Sequence, residues 1–254
     1  MPLKPLKWYK KLATNKGRRA AGAFLVEGPR AIAQVMQQQP EAILEILTID
    51  APPTAYCAYP LRYVTESQLH ALCSTRTPQG MLAVVRLPGA LYTEALPAQI
   101  GAKVLLLEDV QDPGNVGTLI RTAAAFDFAG VILTEQCADP LAPKCVQATA
   151  GTVLSVWIRR TPQYLALVEA LQRRGYTCVA ADLHGGDDPS QLGAPPRLLL
   201  ALGNEAAGLS PALLQLAAGR VKIPLSSKAE SLNVATCGAI CMYLSTQPSC
   251  RAGF

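Results

Sequence analysis

The chain has 254 residues, half of them apolar and 16% charged, which supplies core for one large or two modest domains. That composition excludes a disordered chain, and 19 Gly and 20 Pro without a period exclude a collagen-like repeat. The formal charge of +5 is unevenly placed: residues 1–30 carry eight basic side chains (Lys4, Lys7, Lys10, Lys11, Lys16, Arg18, Arg19, Arg30) against Glu27 alone. A basic arm therefore precedes a nearly neutral body, and polyanion binding is the first hypothesis it raises.

In chain order, a basic helix-like start leads into a strand at 24–26, a helix at 29–37 and a strand at 43–49. A helix at 66–72 and a closing strand at 81–86 complete a small α/β unit, 1–87. Residues 88–102, punctuated by Pro, Gly and Ala without strong periodicity, read as a linker. From 103 the pattern alternates: strand 103–110, helix 115–126, strand 130–135, a helical stretch at 143–149 and a helix at 164–174. Strands at 177–182, 197–203 and 221–225 follow, and an apolar helix at 231–244 closes the unit 103–254. Such alternation predicts a mostly parallel sheet covered on both faces, with ligands at the carboxyl ends of its strands.

Eight cysteines form no CxxC pair, and only His70 and His184 could join them, so a metal site is not supported. The longest apolar runs, such as 104–107 and 198–202, are far too short to cross a bilayer. The N-terminus lacks the apolar core of a signal peptide; its acid-free character could mimic a transit peptide, but it runs directly into a strand-like segment, so a cytoplasmic protein is expected.

Three strand-end segments carry the candidate chemistry. In EDVQDPGNVGTLIRTAAAFDFAGVIL, Pro113 and Gly114 enforce a turn, Asn115 is expected to cap the next helix, and Arg121 lies one turn beyond Gly117 on the same face. A guanidinium there can hold a phosphate or carboxylate; a turn glycine, a capping amide and a solvated arginine would read the same way. Glycines at 114 and 117 do not make GxGxxG, which disfavours a nicotinamide-dependent dehydrogenase. In LLLALGNEAAGLS, Gly203 would allow close backbone approach of a ligand and Gly208 a left-handed turn. Glu205 would either cap a helix start or fix the loop around a ligand. In VKIPLSSKAESLNVATCGAICMYL, Ser231 is the candidate cap, and Asn233 could orient a hydroxyl or simply lie near the helix end.

Taken together, NVGTLIRTAAAFDFAGVIL, LALGNEAAGLS and IPLSSKAESLNVATCGAI closely resemble the three signature motifs of the SpoU/TrmH family of RNA ribose 2′-O-methyltransferases, over roughly 103–247. KGRRAAGAFLVEGPRAIAQV resembles the small L30e-like α/β substrate-binding domain of rRNA-directed members. The resemblance implies a C-terminal α/β knot (a deep trefoil knot with a mostly parallel sheet), S-adenosylmethionine as cofactor, and a homodimer whose sites use both subunits. Carried over by motif, Gly203, Ile223 and Leu232, with Leu202 and Leu225 beside them, contact the cofactor. Asn115, Arg121, Glu205, Ser231 and Asn233 form the catalytic face, where Arg121 activates the 2′-hydroxyl. Because a guanidinium stays protonated, Arg121 is expected to hold the target phosphate and stabilise developing alkoxide charge rather than act as a literal base. Lys10, Lys11, Lys16, Arg18, Arg19 and Arg30 are expected on RNA phosphates, with Trp8 and Tyr9 as candidate stacking surfaces. The implied substrate is rRNA, a large-subunit (23S) guanosine favoured; a tRNA ribose methyltransferase and a non-catalytic RNA-binding or ribosome-assembly protein are the competing readings.

Overall fold

The computed structural model describes residues 4–247. Packing divides them into two units: 4–89 together with 139–155, and 90–138 together with 156–247.

In the first unit, helices α1 (Leu6–Lys11) and α2 (Asn15–Ala21) lead into β1 (Ala23–Glu27), α3 (Pro29–Gln38) and β2 (Ile43–Thr48). β3 (Leu61–Tyr63), α4 (Glu66–His70) and β4 (Met81–Arg86) follow. The sheet order is β1-β4-β2-β3, with β4 antiparallel to both neighbours and β3 parallel to β2. One face buries Tyr9, Leu12, Leu25, Leu47, Leu69 and Leu82. Tyr9 is thus no stacking surface: its ring is enclosed, and its hydroxyl donates to Glu45 Oε2 at 2.7 Å and accepts from Arg62 at 2.9 Å. Trp8 is half-buried and edge-on to Tyr9 at 5.1 Å.

Arg18 also departs from expectation. It is only 2% exposed, its guanidinium pairs with Asp139 at 2.5 Å, and it donates to the carbonyls of Leu12 (3.0 Å) and Ala13 (2.9 Å). Asn15 donates to the same Asp139 oxygen. Burial raises the pKa of that carboxyl, but the hydrogen bonds from Asn15 and Arg18 outweigh it and hold Asp139 below the usual carboxylate value. Arg18 therefore binds the 139–155 segment, whose helix α6 (Pro143–Thr149) packs on β1, rather than RNA.

The second unit holds β5 (Lys103–Leu107), α5 (Pro113–Ala125), β6 (Gly130–Leu133), β7 (Trp157–Arg160) and α7 (Tyr164–Gln172). It continues through β8 (Thr177–Ala181), β9 (Leu198–Leu202), α8 (Pro211–Leu216), β10 (Gly219–Val221) and α9 (Val234–Leu244). All six strands are parallel, in the order β10-β8-β9-β5-β6-β7. The chain grows outward from β5 to β7, then crosses to the other side of β5, so the order reverses between β5 and β9. That is where an open parallel sheet makes room for a ligand. α9 packs on α5 through Gly238, where a Cβ would fall 2.4 Å from Leu119 and 2.7 Å from Leu202.

The sequence pattern missed β3, β7 and α8. In β7 two arginines interrupt the apolar run. Arg159 satisfies its Nε on the carbonyl of Ala95 at 2.7 Å, and the Arg160 amide donates to the Leu91 carbonyl at 2.8 Å. The stretch read as a linker thus lies along β7 and covers that sheet edge, with Leu91 fully buried. The strand expected at 221–225 ends at Val221, and the last helix begins at Val234 rather than 231.

Candidate cofactor cavity and active site

The site gathers at the carboxyl ends of β5, β8 and β9. At the end of β5 the chain turns into α5, whose N-cap is Asp112, not Asn115: Asp112 Oδ1 accepts the Asn115 amide at 2.9 Å, and Pro113 with its preset φ opens the helix. Freed from capping, the Asn115 side chain reaches across the sheet and donates to Glu205 Oε1 at 2.7 Å. Asn233, not Ser231, caps α9: its Oδ1 accepts from the amides of Ala235 (2.9 Å) and Thr236 (3.3 Å). Its Nδ2 donates to Asn115 Oδ1 at 3.1 Å. Two amides and a carboxylate, 118 positions apart at the extremes, so form one continuous chain: Asn233 to Asn115 to Glu205.

Glu205 is carried by the loop after β9. Asn204 and Gly208 exchange both backbone hydrogen bonds (3.1 and 2.9 Å), and Asn204 Oδ1 accepts from Ala206 and Ala207. Gly208 has φ +70°, as a left-handed turn requires. Gly203 is needed for the loop itself, because a Cβ there would lie 2.4 Å from the Gly208 carbonyl carbon and 2.6 Å from the Leu209 nitrogen. Gly203 thus lies close to the protein's own backbone on one side and lines the cavity.

This loop roofs a cavity of about 330 Å³. Leu202, Gly203, Ile223, Leu225 and Leu232 all line it, together with Glu205 and Ser231. The irregular 222–225 stretch and the coil before α9 supply the apolar wall, so the shortening of the expected strand at Val221 is what opens the space. Asp182, His184, Arg220 and Cys237 also line it and were not foreseen. Asp182 could have been, since TCVAAD ends its strand at the same sheet edge as the other segments. The Cys241 thiol donates to Cys237 and, against the opposing effect of burial, holds the Cys237 thiol below its ordinary value while Cys241 is pushed up.

Apolar walls with a few polar groups at the rim suit a planar heterocycle bearing a polar tail. The residues present fit S-adenosylmethionine: leucine and isoleucine faces for the adenine, and carboxylate and guanidinium groups for the ribose and amino-acid ends.

Arg121 stands apart. It is exposed on α5, does not line the cavity, and has no hydrogen-bond or ion-pair partner among the described residues. Six residues after Asn115, it lies about 9 Å further along the helix and on a different face. In the first unit, Lys10, Lys11, Lys16, Arg19 and Arg30 are exposed. Among the described residues no group of three or more His, Cys, Asp or Glu is placed to hold a metal ion, and no helix is long and apolar enough to cross a membrane.

Comparison with known families assigns both parts of the chain. The SpoU rRNA methylase family matches residues 102–243, more than half of the chain. The chain belongs to the SpoU rRNA methylase family. The MRM3-like substrate binding domain matches residues 4–83 of this SpoU methylase. A Bacillus subtilis relative, the 23S rRNA (guanosine(2553)-2′-O)-methyltransferase RlmP, is 32% identical over 94% of each chain. The 23S rRNA (uridine(2479)-2′-O)-methyltransferase of Streptomyces viridochromogenes is 28% identical over 93% of this chain and 86% of its own. The crystal structure of the SpoU methyltransferase AviRb from that organism, in complex with AdoMet, superposes with a TM-score of 0.83 at 27% identity, covering 95% and 96% of the two chains. The parallel six-stranded unit of this SpoU methylase accordingly has the α/β-knot architecture, preceded by a substrate-binding domain.

Proposed function

We propose that this SpoU methylase transfers a methyl group from S-adenosylmethionine to a ribose 2′-hydroxyl of 23S rRNA, at a guanosine. The observation that carries the reading is the joining of Asn115, Glu205 and Asn233 by hydrogen bonds beside the apolar cavity. Polar groups from three separated segments meet where a methyl donor fits. Full-length similarity to a guanosine-specific 23S rRNA enzyme supports the substrate.

The cofactor supplies an electrophilic methyl group on a sulfonium. The protein must then present an oxygen nucleophile in line with it and accommodate the proton lost. Asn233 and Asn115 spend their amides on one another and on Glu205 Oε1, so they act chiefly by fixing Glu205. The second Glu205 oxygen and the Ser231 hydroxyl remain to accept from and orient the ribose hydroxyl. Arg121, protonated throughout, holds the neighbouring phosphate and stabilises charge growing on the attacking oxygen, the proton leaving to phosphate or water. Because Arg121 does not line the cavity of its own chain, it serves the site of a second copy in a homodimer. The face beside α5 and α9 supports that assembly: Tyr243 is 52% exposed there and packs edge-on to Phe126 at 6.0 Å. Exposed Lys10, Lys11, Lys16, Arg19 and Arg30 grip RNA phosphates. All seven described cysteines are free thiols, which fits a cytoplasmic setting.

The test is to map ribose methylation across total RNA in cells lacking the protein, then after restoring wild type or Arg121→Ala. One guanosine of 23S rRNA should lose its methyl group and regain it only with wild type. Loss at a tRNA position would transfer the substrate to tRNA, and an unchanged map would leave a non-catalytic RNA-binding protein.

A further inference from the structure

We propose that Glu108 is a positioning residue for the reaction, clamping the loop that bears Glu205 to the end of the central strand. The inference rests on the reading that the cavity holds S-adenosylmethionine. Glu108 follows β5, is 3% exposed, and touches neither the cavity nor the Asn115–Glu205–Asn233 chain. Its Oε2 accepts the Ser210 amide at 2.7 Å; its Oε1 accepts the Ser210 hydroxyl at 2.7 Å and the Tyr164 hydroxyl. Ser210 is the last residue before α8 and the downstream end of the cavity loop.

The upstream end is held by the next residue of the same strand end. Asp109 adopts φ +57°, a left-handed conformation fixed by Thr134, whose hydroxyl accepts the Asp109 amide (2.9 Å) and donates to its carboxylate (2.5 Å). In that conformation the Asp109 carbonyl accepts Asn204 Nδ2 at 2.9 Å. Two consecutive acidic residues thus grip both ends of the 204–210 loop. One does so through its side chain and the other through its backbone. Between the grips lie Glu205 and the loop residues that roof the cavity.

A buried carboxylate that merely satisfied its surroundings would serve Tyr164 and Ser210 alike. A positioning carboxylate acts through Ser210 alone, because Tyr164 belongs to α7 and does not line the cavity. The experiment compares Glu108→Gln, Ser210→Ala and Tyr164→Phe by thermal melting, by calorimetric titration with S-adenosylmethionine, and by kcat and KM on rRNA. The glutamine keeps the volume but replaces one acceptor oxygen by a donor. Glu108→Gln and Ser210→Ala should each raise Kd and KM for the cofactor about tenfold, the scale of one or two charge-assisted hydrogen bonds, with kcat at saturation falling less. Their effects should add less than fully in the double variant, since Ser210→Ala removes the hydroxyl bond to Glu108 while the Ser210 amide still donates to it. Tyr164→Phe should melt earlier yet bind cofactor as wild type does. Equal loss of cofactor affinity in Tyr164→Phe, or unchanged affinity in Ser210→Ala, overturns the proposal even if Glu108→Gln does not fold. Failure of wild type itself to bind the cofactor would overturn the underlying reading, and the proposal with it.

Discussion

Arg18 and Arg121 are the same residue put to opposite uses, and the contrast separates the two units. Arg18 in α2 is enclosed with Asp139, and its two terminal nitrogens bond within the protein while Nε is buried without a partner among the described residues. Arg121 in α5 faces solvent with no partner among the described residues. A buried charge is tolerated only when paired and hydrogen-bonded, so Arg18 contributes to architecture. An unpaired exposed guanidinium keeps its fork available to an incoming anion. Arg18 is spent on holding the first unit together, whereas Arg121 keeps its capacity for a partner from outside the chain.

The largest effect that would test this contrast is on turnover. Arg121→Ala should lower kcat by about 100- to 1000-fold, the cost of removing one preorganised group that stabilises transition-state charge. The cofactor Kd and the melting temperature should stay near wild type; a parallel collapse of cofactor binding would place Arg121 in the cavity wall instead. Arg121→Lys, retaining charge without the fork, should recover little turnover if bidentate geometry matters.

Next comes stability. Arg18→Ala leaves Asp139 buried without its cation and should cost about 3–5 kcal/mol in denaturant unfolding. An unfolding change within experimental error would show that Arg18 is not the structural residue its burial implies. The pH dependence has a definite sign. The native Asp139 carboxyl is held below its ordinary value, so its stabilising contribution is complete above the unfolded carboxylate pKa of about 4 and is lost as pH falls through the lower native value. Asp139→Asn should flatten that acid limb of the stability profile.

A smaller effect is expected from Glu205→Gln, which keeps the bond from Asn115 but removes the charge. Turnover should drop about tenfold or more with cofactor affinity little changed. Equal loss from Asn115→Ala would support the hydrogen-bonded chain as one unit; full activity of Asn115→Ala would dissolve it.

The gentlest perturbation falls on the arm. Replacing Lys10, Lys11 and Lys16 by Gln should weaken RNA binding uniformly across sequences and reduce the slope of log K against log salt by roughly 0.7–0.9 for each phosphate no longer neutralised. Melting temperature and cofactor affinity should not move. If the salt slope is unchanged, these lysines do not meet phosphates.

Much of the site could be read from the chain because strand ends declare themselves. Leu202 and Gly203 close a continuous apolar run, and Asn115 lies in the first turn of a helix that Pro113 opens; both patterns are local. The cap assignments were less legible. Asp112 and Asn115 compete for one role, as do Ser231 and Asn233, and the choice depends on where each side chain finds a second partner. β7 escaped notice because Arg159 donates to the carbonyl of Ala95 and Arg160 to those of Glu135 and Cys137, a compensation no short window of sequence contains.

The alternation of strands and helices, the basic arm and the three polar segments follow from spacing among a few neighbouring residues. Which polar groups are spent and which left available depends on packing between distant parts of the chain. Arg18 lost its place on the RNA surface to a carboxylate 121 positions away, while Glu205 was drawn to Asn115 across 90. Burial and hydrogen-bond pairing belong to the packed chain, and those two quantities separate a structural charge from a chemical one.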